Sequence, residues 1–202
     1  MMSEMEYRSA EDIVAKDDEA MIVEGYALRF DTESNPLGPK RNFVETITKD
    51  SLRNADLSDV RCLIDHNSSY VLGRTKANTL NLEVDNEGLH FRCQLPNTSY
   101  ARDLYENVKL GNINQCSFGF AVEKGGDSFE KRSDGLFKRT VKKIKALKDV
   151  SIVTYPAYND TDVAPALRSI EAIQGSDEKE MEHNRLLEKA KAELALAKVK
   201  RK

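Results

Sequence analysis

Apolar and polar residues alternate along much of the chain with a period of two, the signature of half-buried strands. Met21 to Phe30 has strand character, and the following stretch to Arg41 is a loop because it carries Asn35-Pro36, Gly38 and Pro39. Phe43-Val44-Glu45-Thr46-Ile47 predicts a short strand, and a short helix follows from Lys49 to Ala55. Val60-Arg61-Cys62-Leu63-Ile64 is a compact apolar run suited to a buried strand, and it stops abruptly at Asp65-His66-Asn67-Ser68-Ser69. Leu80, Leu82 and Val84 alternate with polar residues, Asp85-Asn86-Glu87-Gly88 supplies a turn, and Leu89, Phe91, Cys93 and Leu95 alternate on the return, so this segment predicts a β-hairpin.

The period then changes. After Pro96-Asn97-Thr98-Ser99, residues Ala101, Leu104, Tyr105 and Val108 fall on one face of a helix that Gly111 closes. Cys116 to Glu123 returns to strand character, Glu123 to Lys138 is charged and glycine-containing and predicts an exposed hairpin loop, and Thr140 to Tyr155 is strand-rich until Pro156 ends it. About seven or eight short strands with an interior helix predict an α+β fold, a mostly antiparallel β-barrel or curled sheet flanked by helices. Residues 1–20 are charged and aperiodic and predict a flexible arm; the core spans 21–168. Residues 169–202 form a linker and an amphipathic helical tail, with Leu186, Leu187, Ala190, Leu194 and Ala197 as a narrow apolar stripe among Lys and Glu.

Composition narrows the function classes. The net charge of −3 gives no general attraction to nucleic acid or to an anionic membrane surface. No apolar run approaches the length of a membrane span, and the acidic N-terminus lacks the apolar stretch of a secretory signal. Three cysteines with no CxxC pair, and three scattered histidines, disfavour a disulfide framework and a metal site, so no cofactor is expected.

Three residues sit where an apolar strand meets something polar. His66 follows the buried run Val60–Ile64, where a strand end holds an imidazole rigidly beside a cleft. A surface-loop histidine fits the same pattern. In Cys116-Ser117-Phe118-Gly119-Phe120-Ala121-Val122, alternation gives one bulky apolar face and one bearing only Ser117, Gly119 and Ala121. The small face lets another backbone approach, as a nucleophile strand requires, or lets a helix pack there. Asp149 lies inside the apolar strand Leu147–Val153, where a carboxylate is costly to bury unless paired, for instance with a histidine N–H; an edge strand exposed to water also fits. Asp65 is a rival acid, but neighbours in a strand point to opposite faces. Among weaker candidates, His90 points away from the core, His183 lies in the tail, Cys116 faces inward with the phenylalanines, and Gly125-Gly126 lacks the spacing of a phosphate loop.

Several segments taken in order resemble the prohead protease family of HK97-like tailed phages: Val23-Glu24-Gly25-Tyr26-Ala27, Phe43-Val44-Glu45-Thr46-Ile47, Asp65-His66-Asn67 with Val71-Leu72-Gly73-Arg74, Gly88-Leu89-His90-Phe91, Cys116-Ser117-Phe118-Gly119-Phe120, and Asp149-Val150-Ser151-Ile152-Val153-Thr154-Tyr155-Pro156-Ala157. The resemblance covers roughly residues 21–165. It implies an assemblin-like serine endopeptidase, similar to herpesvirus maturation proteases, with His66 as general base, Ser117 as nucleophile and Asp149 as third member. It further implies action inside the immature capsid, with scaffold and major capsid protein as substrates, self-cleavage and self-association; the charge and the lack of a long apolar run add the expectation of no nucleic-acid and no membrane partner. The competing expectation is a non-enzymatic scaffolding or capsid-assembly protein. Arg74 is an oxyanion-stabilising candidate on charge alone.

Overall fold

A computed structural model of the chain describes residues 5–11, 13–38, 42–155, 166–175, 179, 181–183 and 185–187. The strands are β1 (Glu6–Glu11), β2 (Ile13–Asp17), β3 (Ile22–Arg29), β4 (Phe43–Ile47), β5 (Arg61–Ile64), β6 (Asn67–Arg74), β7 (Leu80–Val84), β8 (Gly88–Gln94), β9 (Gln115–Val122), β10 (Asp127–Lys131), β11 (Phe137–Val141) and β12 (Ile144–Val153). Helix α1 (Ser99–Lys109) buries Ala101, Leu104, Tyr105 and Val108, the stripe its 3.6-residue period predicts. It ends at Gly111, whose φ of +76° is the left-handed conformation a helix terminus uses.

The expectation of a strand-dominated α+β fold with mostly antiparallel pairing holds, but the strands do not close into a barrel. They form a five-stranded sheet in the order β1-β9-β12-β5-β6, a four-stranded sheet β2-β3-β8-β7 and a three-stranded sheet β10-β11-β4. Among the described strands, β12 pairs parallel with β5 and β11 pairs parallel with β4. β1 and β6 are the outer strands of the largest sheet and do not pair with each other, which leaves it open. The sheets bury a common apolar core in which Phe91, Phe118 and Phe120 are almost completely covered. Each such side chain contributes about 1.5–3 kcal/mol by its removal from water.

Four local expectations are corrected. The predicted arm at residues 1–20 contains β1 and β2. Charge hides β1 from a pattern reading, because Glu6 and Arg8 face inward and are paired there. The expected exposed loop from Glu123 to Lys138 contains β10, an edge strand with no buried side chain and so no apolar period. The helix expected from Lys49 to Ala55 is a single 3-10 turn, Lys49–Leu52. Residues 166–175 are helical, so much of the expected linker is helix.

Contacts divide the chain into two units, Met1–Ala164 and Pro165–Lys202. In the second, Met181, Leu186 and Leu187 are exposed. Ala190, Leu194 and Ala197 of the expected apolar stripe lie outside the described residues.

Candidate active site

Strand parity sorts the side chains of β9. Phe118 and Phe120 project into the core, and Ser117, Gly119 and Ala121 take the opposite face. The small face is not open to water: Ser117 is completely buried. β1 lies along β9 with Tyr7 opposite Gly119. A Cβ placed on Gly119 would come within 2.6 Å of the Tyr7 ring and 2.5 Å of Asp149 Oδ2, so only glycine allows both groups to approach this closely.

Asp149 reaches this face through a β-bulge. Along β12, Leu147 pairs with Phe120 and the next paired residue is Asp149, opposite Gly119, so Lys148 is the extra residue. Regular alternation would set Asp149 opposite Phe118, on the core side. The bulge shifts the parity by one and turns the carboxylate toward Ser117, as bulges near functional sites do. Ser151, two residues on, then lies directly opposite Ser117.

His66 comes from a tight turn. Ile64 of β5 pairs with Asn67 of β6, leaving Asp65 and His66 as the two connecting residues. Both have positive φ, +46° and +55°, the geometry of a two-residue hairpin turn normally built from Asn and Gly. A non-glycine residue held there costs on the order of 1 kcal/mol or more. The turn is tied to the end of β12: the Asp65 N–H donates to the Ile152 carbonyl and the Thr154 N–H donates to Asp65 Oδ1, each at 3.0 Å. Asp65 thereby holds the turn, and its carboxylate serves the backbone.

The structure brings the three predicted residues together. His66 Nε2 lies 2.8 Å from Ser117 Oγ, and His66 Nδ1 lies 2.5 Å from Asp149 Oδ1. An ionised carboxylate only accepts hydrogen bonds, so Nδ1 carries the proton and donates it toward Asp149. Nε2 is then the acceptor and Ser117 Oγ–H the donor. The imidazole edge retains partial exposure while the carboxylate is buried. The Tyr7 ring meets His66 edge-on with centroids 4.3 Å apart, which fixes the imidazole from a third side. A hydroxyl, a neutral imidazole and a carboxylate in this sequence can deprotonate the hydroxyl as it attacks an electrophilic carbon.

Two residues of the site escape a reading of the sequence. Ser151 Oγ donates to Asp149 Oδ1 at 2.7 Å. Its signal, a serine two positions after a buried acid, is legible only once the acid is placed. Tyr7 has no local signal, since it lies in a charged segment. The other candidates are engaged elsewhere. Arg74 makes a two-pronged ion pair with Asp59 at 2.6 and 2.8 Å, Cys116 is buried with its thiol donating to the Tyr26 carbonyl, and His90 packs edge-on against Tyr26. No group of three or more His, Cys, Asp or Glu able to hold a metal ion occurs among the described residues.

Known proteins resemble this chain in sequence and in fold. A family model described as caudovirus prohead serine protease matches residues 3–176. The prohead protease of Enterobacteria phage HK97 is 35% identical over 94 residues, 46% of this chain and 39% of that protein. The matched segment therefore spans about two fifths of that relative's length. The bacteriophage T4 capsid assembly protease superposes with a TM-score of 0.51 at 11% identity, over 76% of this chain and 98% of its own, a likeness of fold.

Proposed function

The chain belongs to the caudovirus prohead serine protease family, and from that membership we propose that it is a serine endopeptidase that cuts capsid-protein and scaffold segments, and itself, inside the immature phage capsid. The observation that carries this reading is the hydrogen-bonded chain from Ser117 Oγ through both nitrogens of His66 to Asp149. Ser117 Oγ attacks the scissile carbonyl while His66 Nε2 takes its proton, so that an O–C bond forms on the carbonyl carbon. His66 returns the proton to the leaving amine as the C–N bond breaks. Water, deprotonated by the same nitrogen, then releases the acyl group. Asp149 holds the imidazole in the Nδ1–H tautomer and offsets its charge when it is protonated.

Because Ser117 is completely covered and Tyr7 lies against the Gly119 side, entry of an extended peptide requires that cover to open. We place the enzyme's action within the prohead, where scaffold, capsid protein and further copies of the protease are concentrated, and an assemblin-like architecture and self-association accord with that setting. A purely scaffolding role requires no serine–histidine–carboxylate chain built on a strained turn and a bulge.

The test is cleavage of the cognate capsid and scaffold proteins by the purified full-length chain. Wild type cuts them, His66→Ala does not, and Cys116→Ser retains activity because the thiol is a core group. An active His66→Ala variant removes this assignment; an inactive but folded Cys116→Ser variant redirects it to a thiol enzyme.

A further inference from the structure

We propose that Ser151 is a positioning residue for the reaction, acting through Asp149; the proposal rests on the roles given above to Ser117, His66 and Asp149. The oxygen of Asp149 that faces His66 Nδ1 at 2.5 Å is the same Oδ1 that accepts from Ser151 Oγ at 2.7 Å. Ser151 is completely buried and lies directly across the sheet from the nucleophile, so its hydroxyl belongs to the interior of the site. Asp149 Oδ2 rests against Gly119, at the point where any side chain on that residue would begin.

These contacts remove the freedom a carboxylate otherwise has. Two torsions separate its oxygens from the β12 backbone, and the terminal one is soft. The close approach of Gly119 limits where Oδ2 can sit, while Ser151 pulls Oδ1 from the strand's own i+2 position. With Oδ1 held, the Asp149–His66 bond points along the line that leaves Nε2 facing Ser117. With Ser151 absent, the carboxylate can rotate about its terminal torsion, and the imidazole loses a fixed partner. The bulge at Lys148 sets both residues at once, because it places Asp149 and Ser151 together on the Ser117 face. A fully buried hydroxyl also needs a partner for its own sake, so the experiment must separate a role in the reaction from a role in folding.

The separation comes from a double-mutant cycle on the full-length chain, with turnover of the cognate capsid protein as the readout and thermal unfolding measured alongside. Ser151→Ala is expected to lower kcat roughly tenfold, the equivalent of one hydrogen bond to a charged group, with KM unchanged. In an Asp149→Ala background the same substitution is expected to cost nothing further, because the group it positions is gone. Ser151→Thr keeps the hydroxyl and is expected to recover most of the rate; the cycle decides the question if its added methyl prevents folding. Equal losses in both backgrounds, or an unchanged rate in Ser151→Ala, overturn the proposal and leave Ser151 a structural hydroxyl. Ser117→Ala is run in parallel: if it still cuts, the reading of the site itself fails. If it is inactive while Ser151→Ala runs at the wild-type rate, only the role of Ser151 falls.

Discussion

The two faces of the β1–β9 ladder carry two polar clusters of opposite character. On the face of Ser117 and Gly119 are His66, Asp149, Ser151 and Tyr7. Glu6 and Arg8 pair with Phe120 and Phe118 and so take the other face, where they meet Glu45 and Arg139. Arg8 binds Glu45 through Nε and Nη2 at 2.6 and 2.8 Å, and Arg139 binds Glu6, Glu45 and Asp127. Apart from Asp127, these charges are almost wholly buried. Each is answered by an opposite charge, which is how buried ions are tolerated. The serine face is built differently. It holds one acid, keeps one ring edge toward solvent, and depends on a turn with two positive-φ residues and a bulge. A saturated cluster built on regular strands fixes the fold. A cluster whose serine hydroxyl meets a half-buried imidazole and not an opposite charge, held by backbone irregularities, has the arrangement that the proposed chemistry needs.

That contrast separates what each face loses when it is broken. On the proposed function, the largest effect belongs to the serine face: His66→Ala is expected to lower capsid-protein cleavage by at least about 10³-fold, and Asp149→Asn to lower it less, because the proposed nucleophile and base remain. Both variants keep a near-wild-type melting transition, and a collapsed transition in either would mean that this face also holds the fold. On the charged face the loss is in stability. Arg139→Met strands Glu6 and Glu45 without one partner and destabilises the protein by about 3–5 kcal/mol, measured by denaturant unfolding. An unchanged midpoint would contradict the structural role of the cluster.

A smaller and graded effect is expected on acidification. Burial raises the pKa of Glu45, but the attraction of Arg8 and Arg139 and their hydrogen bonds outweigh it and hold the carboxyl below its usual range. A group depressed in the folded state contributes stability above its unfolded value, and that stability is lost as the pH falls through the folded value. Unfolding free energy should therefore be steady at neutral pH and decline from roughly pH 4.3 downward, with a shallower decline in Glu45→Gln. A profile identical in the two proteins would remove Glu45 as the cause.

The parts legible in the sequence were those where the apolar period carries the information: β3, β4, β5, the β7–β8 hairpin, α1 and β9. His66, Ser117 and Asp149 were each visible as a polar residue at or within an apolar run. Their meeting was not visible, because it depends on events that leave no periodic trace. Asp149 needs an extra residue at Lys148 to reach the right face, and strict alternation along Leu147–Val153 does not reveal a bulge. Asp65-His66 carries no glycine, so nothing local marks it as a two-residue turn with positive φ. β1 was missed because its inward-facing residues are Glu6 and Arg8, which a hydrophobic pattern assigns to solvent. With β1 went Tyr7 and the covered state of Ser117.

The most direct test of the account is the mass of the cognate capsid protein after co-expression with the full-length chain, wild type against Ser117→Ala. Replacing a buried hydroxyl by a methyl-sized group leaves the β9 face filled, so both proteins should melt alike. The account predicts defined cleavage fragments with wild type and an uncut capsid protein with Ser117→Ala. The same fragments from both would contradict it.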